Sequence, residues 1–433
     1  MKGHSTSRPG LLFFVSALAL ATAGLSFSLR LSLIGALQRE HLIALDAGQA
    51  GELAGALLGI AFLGFGLTLF LASSLLAVIG MGRALGLCGA CFALGSGLVA
   101  TGDRWLEGDA LYRLYWLGFG LCGLGWGFME AAVNPLTAAA YPDDKTNRLN
   151  VVHAWWPAGI IAGGLAALGL EALGFSWEAQ FALMLPPALA VMVLAAALRF
   201  PKTEREAAGI PMAEMFREIL RQPTFLVWWA CMLLTAAAEL APGQWIDLAL
   251  SRTVGMRGIL LLVYVSLMMF VLRHFAGPIA RRLSPLGMLW LSTALAGLGL
   301  VALSHADSPI TGIAAATIWG LGVCFLWPTM LANVADRYPR GGEFFLGLMG
   351  VAGALSIAFV LPALGRVFDR AKIEIAGSDG AFAQLSGESL ERVLAQASSR
   401  SFETLAIAPM ILFVVFATIW VFERRAIASE DTR

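Results

Sequence analysis

Charge is scarce in this sequence: Asp, Glu, Lys and Arg make up 13% of its 433 residues, against roughly 25% in an ordinary soluble domain. Lys+Arg and Asp+Glu balance at 29 each, so no charge bias points to nucleic acid as a partner. Cysteine is sparse as well. The five, Cys88, Cys91, Cys122, Cys231 and Cys324, all lie in apolar runs, which argues against a disulfide framework. Cys88 and Cys91 form a C-x-x-C with no second pair and no nearby His, and read as two buried thiols. No metal-ligand or nucleophile–base spacing falls within the apolar segments, so no metal, no cofactor and no enzymatic activity is expected. Apolar residues, in contrast, reach 58%, with 48 glycines and a mean hydropathy of +0.77. A soluble 45.9 kDa fold of this composition would lack the polar surface to cover itself. A polytopic membrane protein remains, in which abundant Gly suits closely packed helices.

A membrane-spanning helix needs about 20 mostly apolar residues. Twelve segments qualify: 11–37, 52–77, 84–101, 111–140, 150–170 and 179–200, then 224–250, 258–280, 286–304, 309–334, 342–366 and 404–422. Two sets of six flank a charged connector. The expected fold is therefore an all-α polytopic membrane protein of 12 transmembrane helices in two pseudo-symmetric six-helix bundles. Its parts are residues 1–200, a linker at 201–222, and residues 223–433 with a long outer loop at 367–403. Eighteen Lys/Arg fall on the side of the termini and five in the short loops opposite, Arg39, Arg104, Arg113, Arg252 and Arg257. Positive charge in short loops marks the cytoplasmic side, so both termini are expected in the cytoplasm of a cell (inner) membrane. The first apolar run is too long for a signal-peptide core and should stay as the first helix.

Two connecting segments carry patterns of their own. After Pro211, Met212, Met215, Phe216, Ile219 and Leu220 repeat at helical spacing, with Glu214, Arg217, Glu218 and Arg221 on the other face. This predicts an amphipathic helix on the inner membrane surface. The 367–403 loop is polar, with a turn at 377–380 and a short helix predicted at 388–397, and reads as an extracytoplasmic cap.

The two halves repeat each other. Span 4 reads GLGWGFMEAAVNPLTAAAYP from Gly123 and span 10 reads GLGVCFLWPTMLANVADRYP from Gly320. At a constant offset, Gly123/Gly320, Leu124/Leu321, Gly125/Gly322, Phe128/Phe325, Ala138/Ala335, Tyr141/Tyr338 and Pro142/Pro339 are identical. Duplicated bundles of this kind place a solute site near midplane between the halves. At that level Glu130 is matched by Trp327.

Charges in hydrocarbon cost about 2.5–3.5 kcal/mol each on insertion scales, so each deep one needs a partner or a wet cavity. The deep ones are Arg30 in span 1, Glu130 in span 4 and Glu239 in span 7. Either Arg30 forms a structural ion pair with one glutamate, or these side chains face a central cavity and bind solute, proton or both; the second reading is adopted here. Arg273 and His274 sit nearer the inner end of span 8, where gating or inter-bundle locking is expected. Asn134 follows Glu130 by one turn and shares its face. Span 5 opens with Asn150, His153, Trp155 and Trp156. In span 7, Pro242-Gly243 is expected to break the helix, leaving Gln244 and Trp245 beyond the break. Trp faces stack on pyranose rings while Asn, Gln and Glu bond hydroxyls, which points to a sugar-like solute. The candidate binding set is Arg30, Glu130, Asn134, His153, Trp156, Glu239, Gln244, Trp245, Trp327 and Asn333, with Glu130 and Glu239 as proton-coupling candidates.

The stretch MEAAVNP at 129–135, the RLN at 148–150 and AELAPGQW at 238–245 together resemble the fucose:proton symporter (sugar permease) family of the major facilitator superfamily. The resemblance implies a secondary active transporter working by alternating access, with Glu130 as the helix 4 carboxylate that binds sugar and takes part in proton coupling. The family's sugar-contacting Asn of helix 5 falls at Trp156. Span 1 offers Arg30 where relatives carry a membrane-embedded Asp, which suggests a solute bearing a carboxylate. In the loop after span 2, Ala77 replaces the superfamily's Asp in SSLLAVIGMGR, suggesting altered locking of the inward gate. The expected partners are the solute, a proton and the lipid bilayer, the chain acting as a monomer. An exporter of drug-like compounds or other metabolites and a non-transporting membrane sensor are the competing readings.

Overall fold

The computed structural model describes residues 8–46, 50–253 and 258–430, except the side chains of 50–52, 244–253, 258–259, 361–362, 379 and 424–430. Among the described residues the chain is helical, joined by short turns. Eleven helices among the described residues are long and apolar enough to cross a membrane, and one shorter apolar helix brings them to the twelve that hydropathy predicts. They are α1 (Pro9–Leu37), α2 (Ala50–Ser74), α3 (Met81–Thr101), α4 (Gly108–Ala140), α5 (Lys145–Ala172) and α6 (Trp177–Ala197). The short linker helix α7 (Met212–Arg221) follows. Then come α8 (Phe225–Thr253), α9 (Gly258–Arg273), α10 (Ala276–Ser304), α11 (Pro309–Arg337), α12 (Gly342–Ala376) and α13 (Gly387–Glu430). The shorter apolar helix is α9.

Packing divides the chain into two units. One holds Met1–Phe225 with Val334–Ala354, the other Leu226–Asn333 with Leu355–Arg433. In the first unit α1 crosses α5 so closely that a Cβ at Gly24 would overlap the Trp156 carbonyl, and one at Gly159 the Ala21 carbonyl. Small residues at such crossings are what bring membrane helices into contact, since lipid gives no hydrophobic drive between them.

The repeated glycines have matching duties. Gly123 of α4 meets Ala61 of α2 and Gly125 meets Cys88 and Phe92 of α3. In the second unit Gly320 of α11 meets Met268 of α9 and Gly322 meets Ala296 of α10. The sequence repeat is thus a repeat of packing.

Two expectations about irregular segments are corrected. The helix does not break at Pro242-Gly243, because α8 runs through them. Proline removes the N–H that would bond the carbonyl four residues back, here that of Ala238, and Trp319 Nε1 donates to that oxygen at 3.0 Å instead. A freed carbonyl that finds a side-chain donor lets a membrane helix carry a proline intact. Nor is 367–403 mainly loop with an isolated short helix. Helix α12 continues to Ala376, Gly377 turns the chain at φ +92°, and residues 388–397 form the first turns of α13, 44 residues long. Ala397 and Phe402 are buried there, and Glu388 pairs with Arg392 one turn on at 3.5 Å.

The linker helix forms where the pattern predicts it. Met215 is buried, Phe216 contacts Phe344, and Leu220 is exposed. The polar face is also engaged: Glu214 pairs with Arg221, with Arg217 at 3.5 Å and with Arg340 at 3.6 Å. Desolvation pushes the Glu214 carboxyl up, but Arg221, then Arg217 and Arg340, outweigh it and hold it below the ordinary glutamate value.

Candidate functional site

In the first unit, one face of α4 carries Cys122, Trp126, Glu130 and Asn134 at four-residue spacing, an interval that stacks side chains along a helix. All four are buried. At one end, Asn134 Nδ2 donates to Glu130 Oε1 at 3.0 Å, while Asn134 Oδ1 meets His153 Nε2 at 2.8 Å. With the amide so oriented its oxygen can only accept, so His153 carries its proton on Nε2. The imidazole lies 4.0 Å from the Glu130 carboxylate. A buried carboxylate, an amide and an imidazole thus form one connected chain, the arrangement through which a proton can be held or passed.

Beside this chain runs an aromatic stack. Trp126 stacks on Phe65 at 4.2 Å and on Trp156 at 4.8 Å, and Trp156 meets Phe27 at 5.7 Å. Trp156 belongs to the set the sequence predicts; Trp126, Phe65 and Phe27 do not, although Trp126 stands one turn from Glu130. Arg30, one turn from Phe27 on α1, is 3% exposed. Its Nε donates to the Ser26 carbonyl of its own helix at 3.2 Å, and among the described residues it forms no ion pair with Glu130 of its own unit.

The second unit holds its own deep charge. Glu239 Oε1 accepts from Arg273 Nη2 at 3.0 Å and Oε2 from the Trp327 backbone N–H at 3.2 Å. Arg273 Nε donates to the Cys324 carbonyl at 2.7 Å. That carbonyl is orphaned because Pro328, four residues on, has no N–H to return. Arg273, expected as an inner-end gating residue, is therefore the partner of Glu239. Asn333 spends its Nδ2 on the Thr329 carbonyl at 2.9 Å. The side chains of Gln244 and Trp245 lie outside the described residues.

A third cluster closes the end of the first unit that carries the linker. Arg205 forks onto Glu343 Oε1 through Nε at 3.0 Å and Nη2 at 2.8 Å, and reaches the Ile210 carbonyl at 2.5 Å. Lys145 bridges Glu204 at 3.1 Å and Asp336 at 3.3 Å. Gly350 of α12 sits against Glu130 and Leu69.

Residues 10–370 match the family model of the Major Facilitator Superfamily. The chain belongs to the Major Facilitator Superfamily. It is accordingly a multi-pass membrane transporter, in a family whose members are transporters and not enzymes. Solved structures of the superfamily share its fold at low identity. The Escherichia coli fucose:proton symporter FucP (N162A) aligns at 15% identity and TM-score 0.65, over 92% of this chain and 98% of that one. The proton:xylose symporter XylE, bound to 6-bromo-6-deoxy-D-glucose, aligns at 11% identity and TM-score 0.72, over 95% of each chain. The human organic anion transporter MFSD10 aligns at 13% and 0.64, over 95% of this chain and all of that one. No curated protein matches the sequence.

Proposed function

We propose that this member of the superfamily is a proton-coupled secondary transporter of a small polar solute, a sugar or sugar derivative. It works as a monomer in a cell (inner) membrane with both termini in the cytoplasm. The observation that carries the reading is the Glu130–Asn134–His153 chain buried within membrane helices beside stacked tryptophans. An ionisable group at that depth is costly to keep unless it works, and tryptophan beside hydrogen-bonding groups suits a sugar ring. The sugar:proton symporters that share the fold support the same solute class. Glu130 is assigned the coupling role ahead of Glu239, whose two oxygens are engaged by Arg273 and Trp327. The halves 1–200 and 223–433 are the two moving parts of an alternating-access cycle, with 201–222 as their link. Solute drives that motion only through unequal affinity for the two states.

The test begins with a thermal-shift screen of purified protein against sugars, sugar acids and nucleosides, followed by vesicle uptake of the compound that stabilises most. A Glu130→Gln protein should retain solute exchange across vesicles and lose uphill uptake driven by a pH gradient. If uphill uptake survives, Glu130 is not the coupling residue.

A further inference from the structure

Three arginines among the described residues are buried to the same degree: Arg30 at 3% exposed, Arg205 at 2% and Arg273 at 2%. Two of them are saturated by the protein. Arg205 holds Glu343 and the Ile210 carbonyl; Arg273 holds Glu239 and the Cys324 carbonyl. Arg30 differs. Its Nε bonds the Ser26 carbonyl, and its two terminal nitrogens have neither an ion pair nor a hydrogen bond among the described residues, yet keep some accessible surface. Its ionisable neighbour is the Cys122 thiol rather than a carboxylate. A guanidinium sunk in membrane helices with both terminal nitrogens open is an uncompensated charge, which the protein would carry only if something else completes it.

Resting on the transport reading above, we infer that the solute is a monocarboxylate, a sugar acid or a small polar molecule of similar size, and that Arg30 takes its carboxylate. The planar fork of Arg matches a carboxylate through two parallel N–H···O bonds. Here Nε is fixed on the helix and the two Nη groups remain for the ligand. The rest of the site is disposed to read the remainder of the molecule. Cys122 beside Arg30 and Glu130 lie on the same face of α4, eight residues or about 12 Å apart. Trp126 stands between them, stacked with Trp156. A ring lying along the tryptophans directs its carboxylate to Arg30 and its hydroxyls to Glu130. A phosphate monoester, carrying nearly two charges, calls for a second cation. The nearest candidate in this face, His153, is committed to Asn134.

The experiment measures binding to purified wild-type, Arg30→Gln and Arg30→Lys proteins with matched neutral and acidic compounds. The pairs are glucose and glucuronate, galactose and galacturonate, lactamide and lactate, and benzamide and benzoate, with glucose 6-phosphate as a separate arm. In whichever scaffold binds, the acid should bind about 10- to 100-fold more tightly than its neutral twin, the worth of a charge-assisted hydrogen bond. Arg30→Gln should abolish that preference, with a melting temperature close to wild type reporting an intact fold. Arg30→Lys should retain part of it, as a point charge without the fork. A preference for acids confined to lactate or benzoate upholds this inference and removes the sugar reading. Equal affinity for glucose and glucuronate, or a preference that survives Arg30→Gln, overturns the inference and leaves the sugar reading standing. Tighter binding of glucose 6-phosphate than of glucuronate overturns the carboxylate assignment. No binding in any pair overturns both.

Discussion

At the scale of single residues, the deep charges separate by what they touch. Glu239 and Arg273 complete each other and two backbone groups of α11, so their first duty is to hold the second unit together. Removing one partner of a buried pair leaves a stranded charge and costs about 3–5 kcal/mol. Glu239→Gln and Arg273→Met should therefore each lower the melting temperature strongly in detergent. The double variant Glu239→Leu/Arg273→Met should lose clearly less than the two singles combined. Strictly additive losses, or single variants that melt like wild type, would show that the pair is not the strut described. Of these contacts, the sequence exposed only those within one helix: Asn134 follows Glu130 by four residues, and so their shared face was readable. Glu239 and Arg273 stand 34 residues apart on different helices; no local spacing announces such a pair, and depth alone did not name Arg273 as the partner of Glu239. The open fork of Arg30 was likewise hidden, because a missing partner can be seen only once every neighbour is known.

At the scale of the helix, prolines decide where outside donors are needed. Pro242 and Pro328 each orphan a carbonyl, and each carbonyl is met from another helix, by Trp319 and Arg273. Hydropathy found the spans because about 20 apolar residues are needed wherever a helix crosses lipid. It misjudged Pro242 because the rescuing donor, Trp319, lies 81 residues along the chain from the Ala238 carbonyl it satisfies. It also shortened α13, whose first turns are polar outside and buried only at positions such as Ala397 and Phe402. A double-mutant cycle isolates the proline rescue. Trp319→Phe should cost about 1–3 kcal/mol for the unsatisfied Ala238 carbonyl, beyond its loss of packing. In a Pro242→Ala background, where residue 242 again has an N–H to give, the same change should cost less by about that amount. Equal costs of Trp319→Phe in both backgrounds, read from thermal denaturation, would mean the indole bond does not compensate the proline.

At the scale of the whole molecule, the repeat and the unit boundaries say different things about the chain. The repeat pairs Gly123 with Gly320 and Gly125 with Gly322, and each pair seats its helix against two neighbours of its own unit. Yet Val334–Ala354, late in the sequence, packs with residues 1–225. Its attachment is made by Arg205 on Glu343, by Lys145 on Asp336, and by α2 lying hard against α12. By sequence this segment belongs to the second half and by packing to the first unit, so under the alternating access proposed above its contacts are the ones to test. The tightest of these contacts is testable without disturbing any charge. A Cβ at Gly347 would overlap the Ser73 side chain, while its next neighbour, the Leu69 carbonyl, stands clear at 3.7 Å. Gly347→Ala should therefore act as overpacking, costing about 1–3 kcal/mol, and should depress vesicle uptake of the solute without abolishing its binding. Ser73→Gly removes the overlapped atoms at a helix cost of about 0.5–1 kcal/mol. Combined with Gly347→Ala it should recover both melting temperature and uptake relative to Gly347→Ala alone. Recovery requires the two residues to meet in the working cycle; if the double variant transports no better than Gly347→Ala, the contact between α2 and α12 is not one that the cycle uses.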